Sequence, residues 1–256
     1  MNETPNSTEP PASDRKFSRR TAIVVGATGL AAVYVVPTWL LDGSSSSNGG
    51  VIEQLADVTA PTASAATDCV LVRETTEGPY HLEGVMSRRN ITEGKRGVPV
   101  ITRLSVVDAS TCKPIAGADV EIWHADARGE YSGFDGGNGG ESDTRYLRGH
   151  QKTDASGVAT FNTIFPGWYP GRAPHVHVRV HVGGNEVHTG QYFFTTALAR
   201  RIYSGSNYRS RGQGWQRNAG DGIYQEASGK QAILRTRKRG GGKRGYVGYL
   251  TMGVNV

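Results

Sequence analysis

From residue 100 onward the chain is a succession of short strand-like runs: Val100 to Val107, Asp119 to Trp123, Val158 to Phe161, His175 to Val182, Glu186 to Phe194 and Tyr246 to Val254. Turn chemistry separates them, as in Asp154-Ala155-Ser156-Gly157 and Gly183-Gly184-Asn185. No long helical periodicity interrupts the series, and only Thr195 to Ser204 reads as a short helix. Strands of this length bury their apolar faces by stacking into layers, so the pattern predicts an all-β protein built as a β-sandwich. The 35 glycines among 256 residues, against a usual share of about 7%, fit the many turns such a fold needs. A chain of this length can bury a core without staples.

The first 66 residues read differently. Residues 1–20 are polar and end in Phe17-Ser18-Arg19-Arg20, and a largely apolar run follows from Thr21 to Leu41. Positive charge ahead of an apolar run is the logic of an export signal. The adjacent arginines point to the twin-arginine route, although Thr21-Ala22-Ile23 departs from its usual continuation. The run is about 20 residues, enough to span a bilayer. Cleavage near Ala63-Ser64-Ala65 and retention of residues 21–41 as a membrane tether both stay open. Residues 42–66 are rich in Ser, Gly, Ala and Thr and read as a flexible linker. The expected organisation is a signal or anchor over 1–41, a linker over 42–66 and a folded domain over 67–256, exported to the cell surface or beyond.

Charge and cysteines narrow the classes further. The formal net charge is +6, and residues 67–256 alone carry 25 basic and 17 acidic residues. A basic surface attracts anionic polymers. No motif of a nucleic-acid-binding module accompanies it, so no nucleic-acid partner is expected. The basic, glycine-rich run Arg235 to Arg244 reads as a solvated hairpin loop, with a patch for anionic surfaces as the sharper reading. Cys69 and Cys112 are too few for a thiolate zinc site or a disulfide-dense domain. In an exported chain they are expected to pair.

The chemistry concentrates around His175-Val176-His177-Val178. Side chains alternate along a strand, so the two imidazoles share one face while the valines take the other. Alone, such a pair is often polar surface. Here it follows Phe165-Pro166-Gly167-Trp168-Tyr169-Pro170-Gly171-Arg172, a turn-rich segment that can bring a phenol and a guanidinium beside the imidazoles. Upstream stand Val120-Glu121-Ile122-Trp123-His124-Ala125-Asp126-Ala127-Arg128-Gly129-Glu130-Tyr131-Ser132 and Thr76-Glu77-Gly78-Pro79-Tyr80. Taken in order, these segments resemble the intradiol ring-cleavage dioxygenases, the family of catechol 1,2-dioxygenase and protocatechuate 3,4-dioxygenase.

The resemblance implies a prealbumin-like β-sandwich whose long loops carry one non-haem Fe(III) per chain, held by Tyr131, Tyr169, His175 and His177. Chemistry suits the set: ferric iron is a hard cation, and two tyrosinates with one hydroxide would balance its charge. The substrates implied are a catechol-type aromatic diol and O2, with cleavage between the hydroxylated carbons to give muconate-type diacids. Tyr169 is the ligand implied to leave the metal and take a substrate proton. Arg172 would stabilise negative charge on the ring, and Gln191, near the metal, would act catalytically by helping to orient the oxygen intermediate. Tyr80, Trp168 and Arg172 would line the substrate pocket. His124 reads as structural, and His181, on the same strand face as the ligands but further along, reads as surface or as a support behind them, not as a fifth ligand. The helical N-terminal region of many family members has no counterpart in residues 1–66, which leaves the oligomeric state open. The rival reading is a non-catalytic prealbumin-like or carboxypeptidase-regulatory-like module, suggested by Pro114 to Val120 and Thr153 to Gly157. The ring substituents accepted are not legible.

Overall fold

The computed structural model describes residues 72–256 apart from 137, 141, 206, 209–213 and 243. The twin-arginine segment, the 21–41 run, the 42–66 linker and Cys69 lie outside the described residues. Cys112 is disulfide-bonded. Among the described residues no helix is long and apolar enough to cross a membrane.

The strands are β1 (Pro99–Asp108), β2 (Asp119–Trp123), β3 (Arg148–Lys152), β4 (Val158–Ile164), β5 (His175–Val182), β6 (Asn185–Phe193), β7 (Arg235–Lys238) and β8 (Tyr246–Val254). Two short helices, α1 (Thr196–Tyr203) and α2 (Gly222–Glu226), lie between β6 and β7. Six strands follow the runs that alternation marks. The sequence pattern does not mark β3 or β7. β3 reads Arg-Gly-His-Gln-Lys and β7 reads Arg-Thr-Arg-Lys, so neither offers an apolar face. Both are edge strands, held by pairing to β2 and β8. The basic run 235–244 is therefore a strand first and a turn second, because Arg235 to Lys238 pair antiparallel with Tyr249 to Tyr246. A cationic edge strand resists further strand addition.

The strands form two sheets ordered β4-β1-β8-β7 and β3-β2-β5-β6. Only β1 with β8 is parallel among the ladders of these sheets. The inner faces meet through Leu104, Val106, Val120, Ile122, Phe161, Val178, Val180, Tyr192 and Met252, all buried in one cluster. This is the β-sandwich that the strand pattern predicts. The β3–β4 turn works as its residues suggest: Asp154 Oδ1 accepts from the Ser156 and Val158 amides at 2.9 and 3.0 Å. Helix α1 is capped by Thr195, whose hydroxyl accepts from the Leu198 amide at 3.2 Å, and turns Leu198, Ala199, Ile202 and Tyr203 inward.

One feature positions the site. Residues 73–90 cross the outer face of the second sheet. The Thr75 amide donates to Thr189 O at 3.1 Å, and His81 Nε2 lies 3.1 Å from Glu121 Oε1 on β2. That cover explains why β5 is buried on both faces from His175 to Val180.

Candidate metal centre

β2 and β5 are antiparallel, with Trp123 opposite His177. The chain leaving β2 and the chain entering β5 therefore emerge at one end of the sandwich. There the loop 124–147 meets the loop 165–174. The two touch backbone to backbone at Gly167, whose amide donates to Asp126 O at 2.8 Å. A Cβ at Gly167 would stand 2.4 Å from that oxygen, so a side chain would push the loops apart. Tyr131 is pinned by its own backbone, its amide donating to Asn138 O at 2.7 Å and its carbonyl accepting from Gly140 N at 2.6 Å. Its ring stacks on Tyr80, with centroids 4.3 Å apart and planes 9° apart.

Four side-chain atoms converge. Tyr131 Oη lies 2.9 Å from His177 Nε2, 3.4 Å from His175 Nε2 and 3.5 Å from Tyr169 Oη. Tyr169 Oη lies 3.0 Å from His175 Nε2. Tyr131 and His177 are each 1% exposed, His175 3% and Tyr169 9%. His175 Nδ1 stands 2.6 Å from the Ala173 carbonyl, an acceptor, which places the proton on Nδ1 and leaves the Nε2 lone pair facing the phenols. His177 lies flat on Trp123, with centroids 5.0 Å apart and planes 10° apart, so its ring cannot swing.

The electrostatics match a waiting cation. Burial, then the Arg172 charge, holds His175 well below the usual imidazole range. Burial, then His175, does the same for His177. Both rings are neutral and able to ligate. Burial, with Tyr169 alongside, holds the Tyr131 phenol well above the usual range, and burial also raises Tyr169. Two tyrosinates need a positive charge between them. Among the described residues no group of three or more His, Cys, Asp or Glu could hold a metal. The donor set is half phenol, which suits a hard trivalent ion better than zinc or Fe(II).

Around the four donors lies a second set of contacts. Arg172 Nη2 donates to Gln191 Oε1 at 2.6 Å and Arg172 Nε to Asp221 Oδ2 at 3.0 Å. Gln191, fully buried, donates from Nε2 to Thr76 O at 3.0 Å, so both ends of its amide are engaged. Tyr80 and Trp168 are half-buried, Tyr80 against Tyr131 and Trp168 close to Gly214. His124 is buried away from the donors, with its ring nitrogens 2.8 Å from Ala125 O and 2.6 Å from Thr163 Oγ1. His181 lies toward the far end of β5, opposite Asp119.

Three residues enter the site that sequence reasoning does not single out. Asp221 accepts from Arg172, from the Ala173 amide at 2.7 Å, and from Ile223 N and Tyr224 N as the N-cap of α2. An Asp-Gly pair ahead of Ile-Tyr was its available signal. Arg148, 1% exposed, donates to Ser132 Oγ, Ser132 O and Tyr80 O at 2.9, 2.7 and 2.6 Å. Burial draws its guanidinium down to about 10. Trp123 backs His177. Nothing local in sequence marks these last two, since their partners lie on other segments.

Comparison with known proteins agrees with this architecture. A family model described as Dioxygenase matches residues 76–195. The chain is 38% identical over 100 residues to catechol 1,2-dioxygenase 1 of Acinetobacter lwoffii, covering 37% of this chain and 31% of that protein. It is 29% identical over 143 residues to a chlorocatechol 1,2-dioxygenase of Pseudomonas sp. strain P51, covering 48% and 55%. The chain thus spans about a third to a half of the length of these curated relatives. Among solved structures, an intradiol ring-cleavage dioxygenase from Tetranychus urticae superposes with a TM-score of 0.68 at 38% identity, covering 73% of this chain and 95% of that one. The dioxygenase domain of a dioxygenase–carbohydrate-binding fusion from Streptomyces sp. SirexAA-E gives 0.56 at 28% identity, covering 73% and 99%. With the two-sheet fold and the order of its motifs, these matches establish that the chain belongs to the intradiol ring-cleavage dioxygenase family.

Proposed function

We propose that the protein is a ferric, non-haem dioxygenase that opens catechol-type rings between their hydroxylated carbons to give muconate-type diacids. The observation that carries this reading is the convergence of Tyr131, Tyr169, His175 and His177 around one point, their donor atoms 2.9–3.5 Å apart in the contacts above. A non-catalytic sandwich module has no use for two phenols and two neutral imidazoles buried together. Bound ferric iron would supply Lewis acidity that makes the catechol hydroxyls easier to ionise.

The residues divide the remaining work. Tyr169, as tyrosinate, accepts a proton from a substrate hydroxyl. It is the more exposed phenol and sits in a turn, whereas Tyr131 is held by backbone bonds and the Tyr80 ring. Arg172, fixed on one side by Asp221 and on the other by Gln191, presents a preset positive charge to the ring as electron density builds there. Gln191 serves as the tether between Arg172 and residue 76, and Tyr80 and Trp168 flank the pocket. The segment ending in Arg19-Arg20 supports export by the twin-arginine route before the enzyme meets its substrate. An Arg19→Lys/Arg20→Lys variant is expected to stay in the cytoplasm, and unchanged export would refute that route.

The decisive test is direct. The purified protein should bind about one iron per chain and show the red colour of tyrosinate-to-Fe(III) charge transfer. With a panel of catechols and O2, mass spectrometry should find ring-opened diacids carrying both oxygen atoms. A colourless protein that remains inactive after iron loading would overturn the proposal.

A further inference from the structure

The positive charge of this protein is segregated. Residues 195–256 hold 12 basic and 2 acidic residues, whereas 67–194 hold 13 basic and 15 acidic. One of the two C-terminal acids, Asp221, is buried against Arg172. The whole positive excess of the folded region therefore belongs to its last third, and the metal centre uses none of it.

The fold gathers part of that excess along a trough. One hollow of about 450 Å³ lies between the start of β1, the end of α1 and the β7–β8 turn. It is lined by the apolar Val98, Pro99, Ile202 and Tyr246 together with Arg201, Lys238, Arg239 and Arg244. A second hollow of about 360 Å³ shares Gly97, Pro99 and Asn207 with the first and adds Lys95 and Arg96. No carboxylate lines either hollow. Lys95 is engaged with Asp126 at 3.3 Å, and Arg239 with Arg244 O at 3.3 Å. Arg96, Arg201, Lys238 and Arg244 are exposed, and none of the four takes part in the ion pairs found among the described residues. Like charges held side by side without acids repel one another, and an anionic ligand would relieve that repulsion.

We propose that this trough is a docking site for a linear carboxylated polysaccharide. Its length, over two joined hollows, favours a chain over a single small anion. Its guanidinium groups can grip carboxylates in pairs of parallel hydrogen bonds. Its lining offers one ring, Tyr246, and not the succession of stacking rings with which proteins hold single-stranded nucleic acid. The site shares no residue with the metal centre, so the proposal stands apart from the reading of the reaction.

Binding to immobilised polygalacturonate, measured at several salt concentrations, tests this. Polygalacturonate should retain the wild-type protein at low salt and release it as salt rises, while neutral dextran should not retain it. Arg201→Gln/Lys238→Gln/Arg244→Gln should bind at least tenfold more weakly. Arg73→Gln/Lys113→Gln/Lys152→Gln, which removes the same charge away from the trough, should stay within twofold of wild type. Circular dichroism melts confirm that both variants fold. Equal losses in the two variants would show that net charge alone acts and would overturn the proposal. So would equal retention on dextran, or tighter binding to a single-stranded oligothymidylate than to polygalacturonate.

Discussion

At the residue scale, the two tyrosines are chemically alike and mechanically unlike. Tyr131 is locked by two backbone hydrogen bonds and a stacked neighbour, while Tyr169 occupies a turn and keeps more exposure. Their phenylalanine variants should therefore fail differently. Tyr131→Phe removes the fixed donor and should lose most of its iron by metal analysis. Tyr169→Phe should keep much of its iron yet turn over catechols about 100-fold more slowly, the usual worth of a positioned proton acceptor. Equal turnover by Tyr169→Phe and wild type would refute the base role. Arg172 follows the same logic of preset geometry: its guanidinium is held from both sides by Asp221 and Gln191, so in the proposed role it would not have to reorganise as charge develops.

At the element scale, the segment over the second sheet matters more than its sequence suggests. Gly78 has φ of +78° and packs on His177, where a Cβ would lie 3.1 Å from Cε1. Gly78→Ala should cost about 1–2 kcal/mol through backbone strain alone. It should also shift the tyrosinate-to-iron absorption band by displacing His177, and a variant with unchanged stability and spectrum would contradict this. The strands were largely legible because alternation reports burial. β5 was legible twice over, through its valines and through its histidines. β3 and β7 were not, since an edge strand of charged residues is defined by its partner. The candidate donors were readable because each sits in a local motif of distinctive composition. Asp221, Arg148 and Trp123 act across the fold, and no spacing within one segment points to their partners.

At the scale of the whole molecule, buried neutral histidines tie stability to pH. Burial pulls His124 down to about 4 from the usual imidazole value of about 6.5. Between those values the unfolded chain takes a proton that the folded one refuses. Stability is therefore full above pH 6.5 and falls as pH drops toward 4, by about 3 kcal/mol for this one group. The thermal midpoint of the metal-free protein should fall across that range, with a shallower slope in His124→Gln; a flat profile would contradict it. The topology also bears on how the molecule is made. Gln191 bonds to Thr76 across 115 residues, and β1 closes its sheet against β8, the last strand of the chain. An emerging chain cannot join Gln191 to residue 76 before β6 has emerged, nor close the first sheet before β8 has. On the proposed reading iron would load only after β6 has emerged, and a chain truncated before β8 should be a substrate for proteases rather than a partly active enzyme.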